Sequence, residues 1–510
     1  MGLTATLRRS VALGRLGMDV ARARRRHAGP GRAAAQRLVA ERMGRLRGLP
    51  QKIGQMLSLA ELDAPAGPYA ALTDAAPQAP ADESFRWIAR ELGQSVREAF
   101  LSIDRRASAA SLGQVHRAVL PDGRTAAVKV QYPGVGDAVD ADLAALGLLA
   151  TPVTTRRSGF DADGYRAELR RSLAGELDYR AEAETLRRFA RWRHEVPGLV
   201  TPDPIDGYCT SRVLTMTWVD GSPAETVRDW PDGDRRDAVR LLLRAFLRGC
   251  FAWREVHADP HAGNVRFART GDGVVQVGLL DFGCTRTLTG AESAGLWQLA
   301  AHGARLDGAP LAEAWTALGF PDAVTSGLRH RLPEVTRILF EPFHTPGPFD
   351  AARWQVADRL AAALGDDRWT FRFAGPPALL FLIRAFQGLV AYARVLDAPV
   401  DWQAELAALP TPAAPADPAE FAAPRPESQM SSDALKVEVV RDGARVAFIT
   451  FPAGAVEFLP DLVPADLHDK VRQRGISLEQ LARDAVARGC PAGDLFSLDE
   501  AGTQVRVWLE

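Results

Sequence analysis

Cysteine is scarce in this chain: Cys209, Cys250, Cys284 and Cys490 are the only four in 510 residues, and none belongs to a C-x-x-C pair. That pattern indicates neither a disulfide framework nor a thiolate zinc site, and it fits a reducing compartment, the cytoplasm. Long apolar runs are missing as well. The most apolar segment, Pro376 to Leu396, is interrupted by Arg384 and Arg394 and reads as a buried helix rather than a membrane span. The N-terminus has no apolar core of signal-peptide length. Neither sign of charge dominates: 62 Lys and Arg against 63 Asp and Glu give a net charge of -1, which favours no partner class. No internal repeat is visible.

What is present is unevenly distributed. The length predicts two or three domains. Twelve arginines between Met1 and Arg47 face only Asp19 and Glu41, a basic block that suits an anionic membrane surface or nucleic acid and reads equally well as a solvated helical face; no nucleic acid is expected as partner. Residues 1–100 carry apolar positions at three- and four-residue spacing, as in "ESFRWIARELG", and read as helical. From Ile103 to Tyr132 the pattern alternates like strands around a turn at Pro121-Asp122-Gly123. Helical periodicity returns from Ala138 to about Glu195. A short strand, "RVLTMTWV", follows, and then a helix around "AVRLLLRAFLRGCFAW". Next comes a hairpin turned at "TGDG", and mostly helical sequence runs on to Leu409. Residues 410–433 are rich in Pro and Ala without periodicity, a linker. Residues 434–510 read as a small α+β module, with a hairpin at Asp442-Gly443, a helix opened by "SLEQ" at Ser477, and a last strand "TQVRVWLE".

The chemistry centres on "HADPHAGN", His257 to Asn264. A zinc site would use His257, Asp259 and His261, but these alternate on a loop without helical H-x-x-x-H spacing, and no fourth ligand is evident. A turn in which Asp259 and Asn264 cap their own backbone is the plain structural alternative. In the third reading the five-residue step from Asp259 to Asn264 is that of base and metal-ligating asparagine in a kinase catalytic loop, H-R-D-x-x-x-x-N. This demands a second aspartate across a short hairpin. "LLDFG" supplies Asp281, seventeen residues after Asn264. Phosphoryl transfer also demands a strand lysine and a phosphate-covering turn ahead of it. Lys129 in "TAAVKVQ" and "SAASLGQV" meet those demands, with Ser108 and Ala110 where glycines usually stand and Gly113 and Val115 matching. A Cβ at 108 and 110 restricts φ and stiffens the turn. An acidic partner for Lys129 is expected in "GELDYRAEAE". On one continuous helix Asp178 and Glu182 share a face and Glu176 points elsewhere.

With these motifs in order, the chain resembles the UbiB family of atypical, protein-kinase-like proteins over about Gly48 to Gly290. "QKIGQMLS" looks like the family's K-x-G-Q signature through Lys52, Gly54 and Gln55. "SAASLGQVHRA" looks like its alanine-rich loop, "AAVKVQYPGV" its lysine strand, and "ELDYRAEA" its E-x-D segment through Glu176 and Asp178. The resemblance implies an α+β, two-lobed protein-kinase-like fold: a helical N-terminal extension over the active site (1–100), an N-lobe (101–220) and a C-lobe (221–409), ahead of the linker and the module. It implies ATP and Mg²⁺ as cofactors, with Ser108, Ala109, Ala110, Ser111, Gly113, Val115, Lys129, Lys52 and Gln55 around the nucleotide. Asp259, Lys129 and Glu176 or Glu182 are implied as catalytic, and Asn264 and Asp281 as metal ligands. The implied activity is ATPase or small-molecule kinase chemistry in isoprenoid quinone or other lipid metabolism, with a lipid or quinone precursor as ligand. The rival readings are a nucleotide-sensing pseudokinase scaffold and a small-molecule phosphotransferase. His257 and His261 are expected to hold the loop. Departures are Ser108 for alanine, Ala262 for proline, Thr217 where a hinge glutamate is common, and a soluble C-terminal module where some relatives carry membrane helices.

Overall fold

The computed structural model describes residues 79–110, 112–136 and 175–412, most of 434–452 and 477–510, and scattered positions between. Lys52, Gln55, Ser111, the basic N-terminus and most of the linker lie outside the described residues. Contacts divide the chain into two units, Met1–Phe421 and Ala422–Glu510.

The first unit begins with helix α1 (Ala81–Leu92), stopped by Gly93 in the left-handed region at φ 68°, and a one-turn helix α2 (Val96–Ala99) closed by a Ser95–Glu98 capping box. Strands β1 (Ser102–Ala109), β2 (Gly113–Val119) and β3 (Thr125–Gln131) follow as two antiparallel hairpins. The expected turn between β2 and β3 is in place: Gly123 takes φ 85° and its N–H reaches the Leu120 carbonyl at 2.9 Å.

Period-two alternation decides what β3 does. Ala126, Val128 and Val130 pack with Ile88 and Phe100 on the α1 side, while Ala127 faces the core that holds Tyr179 and Leu186. Lys129 therefore projects toward helix α3 (Tyr179–Trp192), not toward solvent. After β4 (Leu199–Val200), strand β5 (Val213–Thr217) pairs antiparallel with β3 and completes a four-stranded sheet ordered β1-β2-β3-β5.

Helix α4 (Asp232–Arg248) runs on through a π-helical turn, Gly249–Trp253, into β6 (Glu255–His257). Strands β7 (Val265–Arg269) and β8 (Val275–Leu279) form the expected hairpin, β4 adds to β8 in parallel, and β9 (Thr285–Thr287) pairs with β6. Helix α5 (Gly290–Trp297) opens the helical remainder, in which α6 (Leu379–Val395) lies among the core residues through Leu382, Ala385 and Leu389. Among the described residues no helix is long and apolar enough to cross a membrane.

In the second unit an antiparallel sheet ordered β11-β10-β13-β12 carries helix α7 (Leu478–Ala487). Its strands are β10 (Ala434–Arg441), β11 (Ala444–Pro452), β12 (Gly493–Glu500) and β13 (Thr503–Leu509). The β12 strand was not expected: "GDLFSLDE" opens with glycine and aspartate, both poor strand formers. Pairing with β13 recruits it, and Phe496 and Val507 share one core with Leu478 and Ala482.

Candidate active site

Lys129 enters the site between two carboxylates. Its Nζ donates to both Glu182 oxygens at 2.9 Å and lies 3.0 Å from Asp281 Oδ1 and 5.0 Å from the centre of the Tyr179 ring. One positive charge thus answers two negative ones. Burial works against the ammonium, but Asp281 and Glu182 outweigh it and hold Lys129 protonated well above its usual range. Burial would likewise raise Asp281, yet Lys129 and the Gly283 N–H, donating to Oδ1 at 3.0 Å, keep that carboxyl low. The surplus negative charge falls on Glu182, whose complete burial pushes it up to about 7 despite Lys129.

The E-x-D segment differs from one continuous helix. The backbone breaks at Asp178, which is the N-cap of α3: its side chain accepts from the Arg180 N–H at 3.0 Å and stays exposed. Glu182 follows in the first turn and reaches Lys129. Glu176 sits on the preceding helical turn, so the shared-face argument that sent it elsewhere fails. It is buried beside Gly283, where a Cβ would come within 3.2 Å of Glu176 Cγ, 3.3 Å of Asp281 Oδ1 and 3.4 Å of Glu182 Oε2. Lys129 pairs with Glu182, and Glu176 packs against the Asp281-Phe282-Gly283 turn.

The loop from β6 to β7 is held by its own polar groups. Asn264 Nδ2 donates to the Asp259 carbonyl at 3.0 Å, and the Asn264 N–H donates to the His261 carbonyl at 2.9 Å. With the amide nitrogen so engaged, Oδ1 is the atom of Asn264 that can meet a cation. His257 lies 2.6 Å through Nε2 from the Asp281 carbonyl, an acceptor only, so Nε2 carries the proton. Its Nδ1 is buried without a hydrogen-bond partner, and burial holds its pKa below 6.5. His261 accepts from the Gly263 N–H at 2.9 Å. Both histidines thus bond backbone, and among the described residues no group of three or more His, Cys, Asp or Glu could hold a metal. The zinc reading of the loop has no ligand set.

For magnesium the donor set fits better. Asp281 keeps 29% of its side chain exposed although Lys129 and Glu182 beside it are 8% and 0% exposed, so this carboxylate opens outward from the buried cluster. Hard oxygen donors from Asp281 and Asn264 suit an ion that retains waters and takes further oxygens from phosphate.

In the turn ahead of Lys129, Ser108 and Ala109 lie in β1, Gly113 and Val115 in β2, and the Ala110 N–H bonds the Gly113 carbonyl at 3.0 Å. Ser108 is exposed. Gly113 has a reason of its own, since a Cβ there would run into the Val130 carbonyl of the paired strand β3. Thr217, where a hinge glutamate is common, accepts from the Asp203 N–H at 2.9 Å.

Two elements of the site escape the sequence motifs. Arg188 on α3 donates to both oxygens of buried Glu255 at 2.9 and 2.7 Å, and Thr285 donates to Glu255 at 2.9 Å, tying α3 to strands β6 and β9. Arg384 on α6 donates to Asp259 Oδ1, both side chains being buried. The one available signal was an arginine near the middle of the apolar stretch Pro376 to Leu396.

Residues 71–314 match the ABC1 atypical kinase-like domain. The chain is 34% identical over 264 residues to the mitochondrial atypical kinase coq-8 of Caenorhabditis elegans, covering 50% of this chain and 34% of that protein. It is 30% identical over 335 residues to the mitochondrial atypical kinase COQ8B of Rattus norvegicus, covering 64% and 62%. The matched stretches thus span less than two thirds of those relatives. A solved structure of Rv3197 with erythromycin, from Mycobacterium tuberculosis, is similar at 27% identity and a TM-score of 0.49, covering 71% of this chain and 92% of that one. With its motifs in family order on a two-lobed kinase-like fold, the chain carries the atypical kinase-like domain of the UbiB family across residues 71–314.

Proposed function

We propose that this protein is a Mg²⁺-dependent ATP phosphotransferase or ATPase serving isoprenoid quinone or related lipid metabolism. The observation that carries the reading is the meeting of Lys129, Glu182 and Asp281 in one cluster, with Asn264 and Asp259 on the loop that leads to it. Lys129, oriented by Glu182, holds the α- and β-phosphates, while the turn from Ser108 to Val115 covers them. Asp281 and Asn264 would hold Mg²⁺, which when bound neutralises charge on the phosphate oxygens. Asp259 orients the attacking hydroxyl or water. The bond between the γ-phosphorus and its bridging oxygen breaks, a bond from the acceptor oxygen forms, and ADP leaves. The acceptor's proton passes to Asp259 and then to water.

The proposed setting is the cytoplasmic face of an anionic membrane, reached through the basic block, with a lipid or quinone precursor as ligand. Lys52 and Gln55, i and i+3 on the expected helix of the extension, would add a cation near Glu176 and keep bulky peptides out. ATP hydrolysis by the full chain, with and without Mg²⁺ and vesicles containing anionic phospholipid, tests the reading beside Asp281→Asn. The expected result is Mg²⁺-dependent turnover, raised by the vesicles and lowered at least about 100-fold by the substitution, the scale of removing one preorganised charge-stabilising group. ATP binding without Asp281-dependent turnover would leave a nucleotide-sensing scaffold instead.

A further inference from the structure

Helix α6 lies outside residues 71–314, yet one of its faces meets the catalytic loop residue by residue. Phe381 packs in one cluster with Ala258 and with Cys284, just beyond the Asp281-Phe282-Gly283 turn. Arg384, three residues on, donates to Asp259 Oδ1. Gly388, a further four on and so on the same face, lies against Pro260: a Cβ there would strike the Pro260 ring and come within 3.2 Å of its carbonyl. Tyr392, four later again, sets its ring edge-on to Phe267 of β7 at 5.6 Å. Consecutive residues 258, 259 and 260 are therefore each met by a residue of one rigid helix.

The central contact is electrostatic and buried. Arg384 is 5% and Asp259 6% exposed, on a helix whose neighbouring residues Leu382 and Ala385 are core. An arginine is taken out of water into such a place only where a fixed negative charge receives it. Its planar guanidinium, unlike a lysine ammonium, fixes direction as well as distance. Gly388 allows the close approach that brings this fork to the loop.

We infer that Arg384 is a positioning residue for phosphoryl transfer: from outside the matched domain it fixes the orientation in which the Asp259 carboxylate meets the acceptor hydroxyl. The consequence for turnover rests on the function proposed above. The pairing itself rests on the contact alone. Arg384 has no part in gripping ATP, and its loss is read in turnover and not in nucleotide affinity.

The experiment is a double-mutant cycle in the full chain: wild type, Asp259→Asn, Arg384→Met and the double variant, with Arg384→Lys as the charge-preserving control. Each is measured for Mg²⁺-dependent ATP hydrolysis, ATP affinity and urea unfolding. Arg384→Met should lower turnover at least about tenfold with ATP affinity within about twofold, and the double variant should turn over no slower than Asp259→Asn, because groups acting as one unit do not add. Arg384→Lys should recover part of the loss. In unfolding, the two single variants should couple by at least about tenfold. Wild-type turnover in Arg384→Met, turnover losses that multiply in the double variant, or additive unfolding overturns the inference. If wild type shows no Asp281-dependent hydrolysis, the proposed function falls, and the unfolding cycle alone decides the pairing: coupling supports it and additivity sinks it.

Discussion

Two buried ion pairs meet at the candidate site, and they are built differently. Lys129 with Glu182 joins strand β3 to helix α3 inside the N-lobe, 8% and 0% exposed, and shares its charge with Asp281. Arg384 with Asp259 joins helix α6 to the loop between β6 and β7, their side chains 6% and 9% exposed. In the first, a cation stands between two carboxylates, so an added cation would be welcomed by charge left over. In the second, a guanidinium holds a carboxylate that must stay where it is. Clusters that bind a charged ligand carry an imbalance, and contacts that position a group are matched.

Breaking the pairs should expose that difference in stability. Arg384→Met leaves the Asp259 carboxylate buried against an apolar helix, at an expected cost of about 3–5 kcal/mol in urea unfolding. Glu182→Gln leaves Lys129 with Asp281 and removes one surplus charge, so about 1–2 kcal/mol is expected, the scale of an altered buried hydrogen bond. If Glu182→Gln proves the more damaging, the contrast between the pairs is wrong.

The fit of α6 to the loop can be tested without touching a charge. Gly388→Ala pushes a methyl into Pro260, and overpacking of this kind costs about 1–3 kcal/mol. Since Pro260 follows Asp259, turnover should fall while ATP affinity holds. An alanine variant with unchanged melting temperature and turnover would show that the helix does not bear on the loop.

The smallest expected effect concerns pH. Burial holds His257 below its usual 6.5, so as pH falls through 6.5 the unfolded chain takes up a proton that the folded chain refuses. The stability linked to this histidine is fully present above 6.5 and is lost as the solution is acidified, at up to about 1.4 kcal/mol per pH unit. His257→Gln, keeping a side-chain donor for the Asp281 carbonyl, should flatten that slope. An unchanged slope in the variant would place the acid sensitivity elsewhere.

Much of the N-lobe was legible because its signals are local. Alternation in "TAAVKVQ" gives β3 two faces and sends Lys129 to the site, Asp122-Gly123 supplies the turn, and in the C-lobe "TGDG" supplies another. The partner of Lys129 was narrowed to an acidic segment, but whether Glu176 or Glu182 took the role depended on a helix break at Asp178 that periodicity does not reveal. Arg384 was visible only as an interruption of an apolar stretch. Its meaning depends on a contact across 125 residues, and sequence spacing carries no information about such a distance. The strand β12 was missed for a related reason, since its partner β13 and not its own composition makes it a strand.

Under the proposed function the site divides its labour: the Lys129 cluster grips the nucleotide, and the Arg384–Asp259 pair sets up the transfer. Calorimetric titration of ATP with Mg²⁺ into wild type, Lys129→Met and Arg384→Met tests it directly. Affinity should weaken at least about tenfold in Lys129→Met, the loss of a buried charge-assisted contact, and stay within about twofold of wild type in Arg384→Met. Equal loss of affinity in the two variants would contradict it.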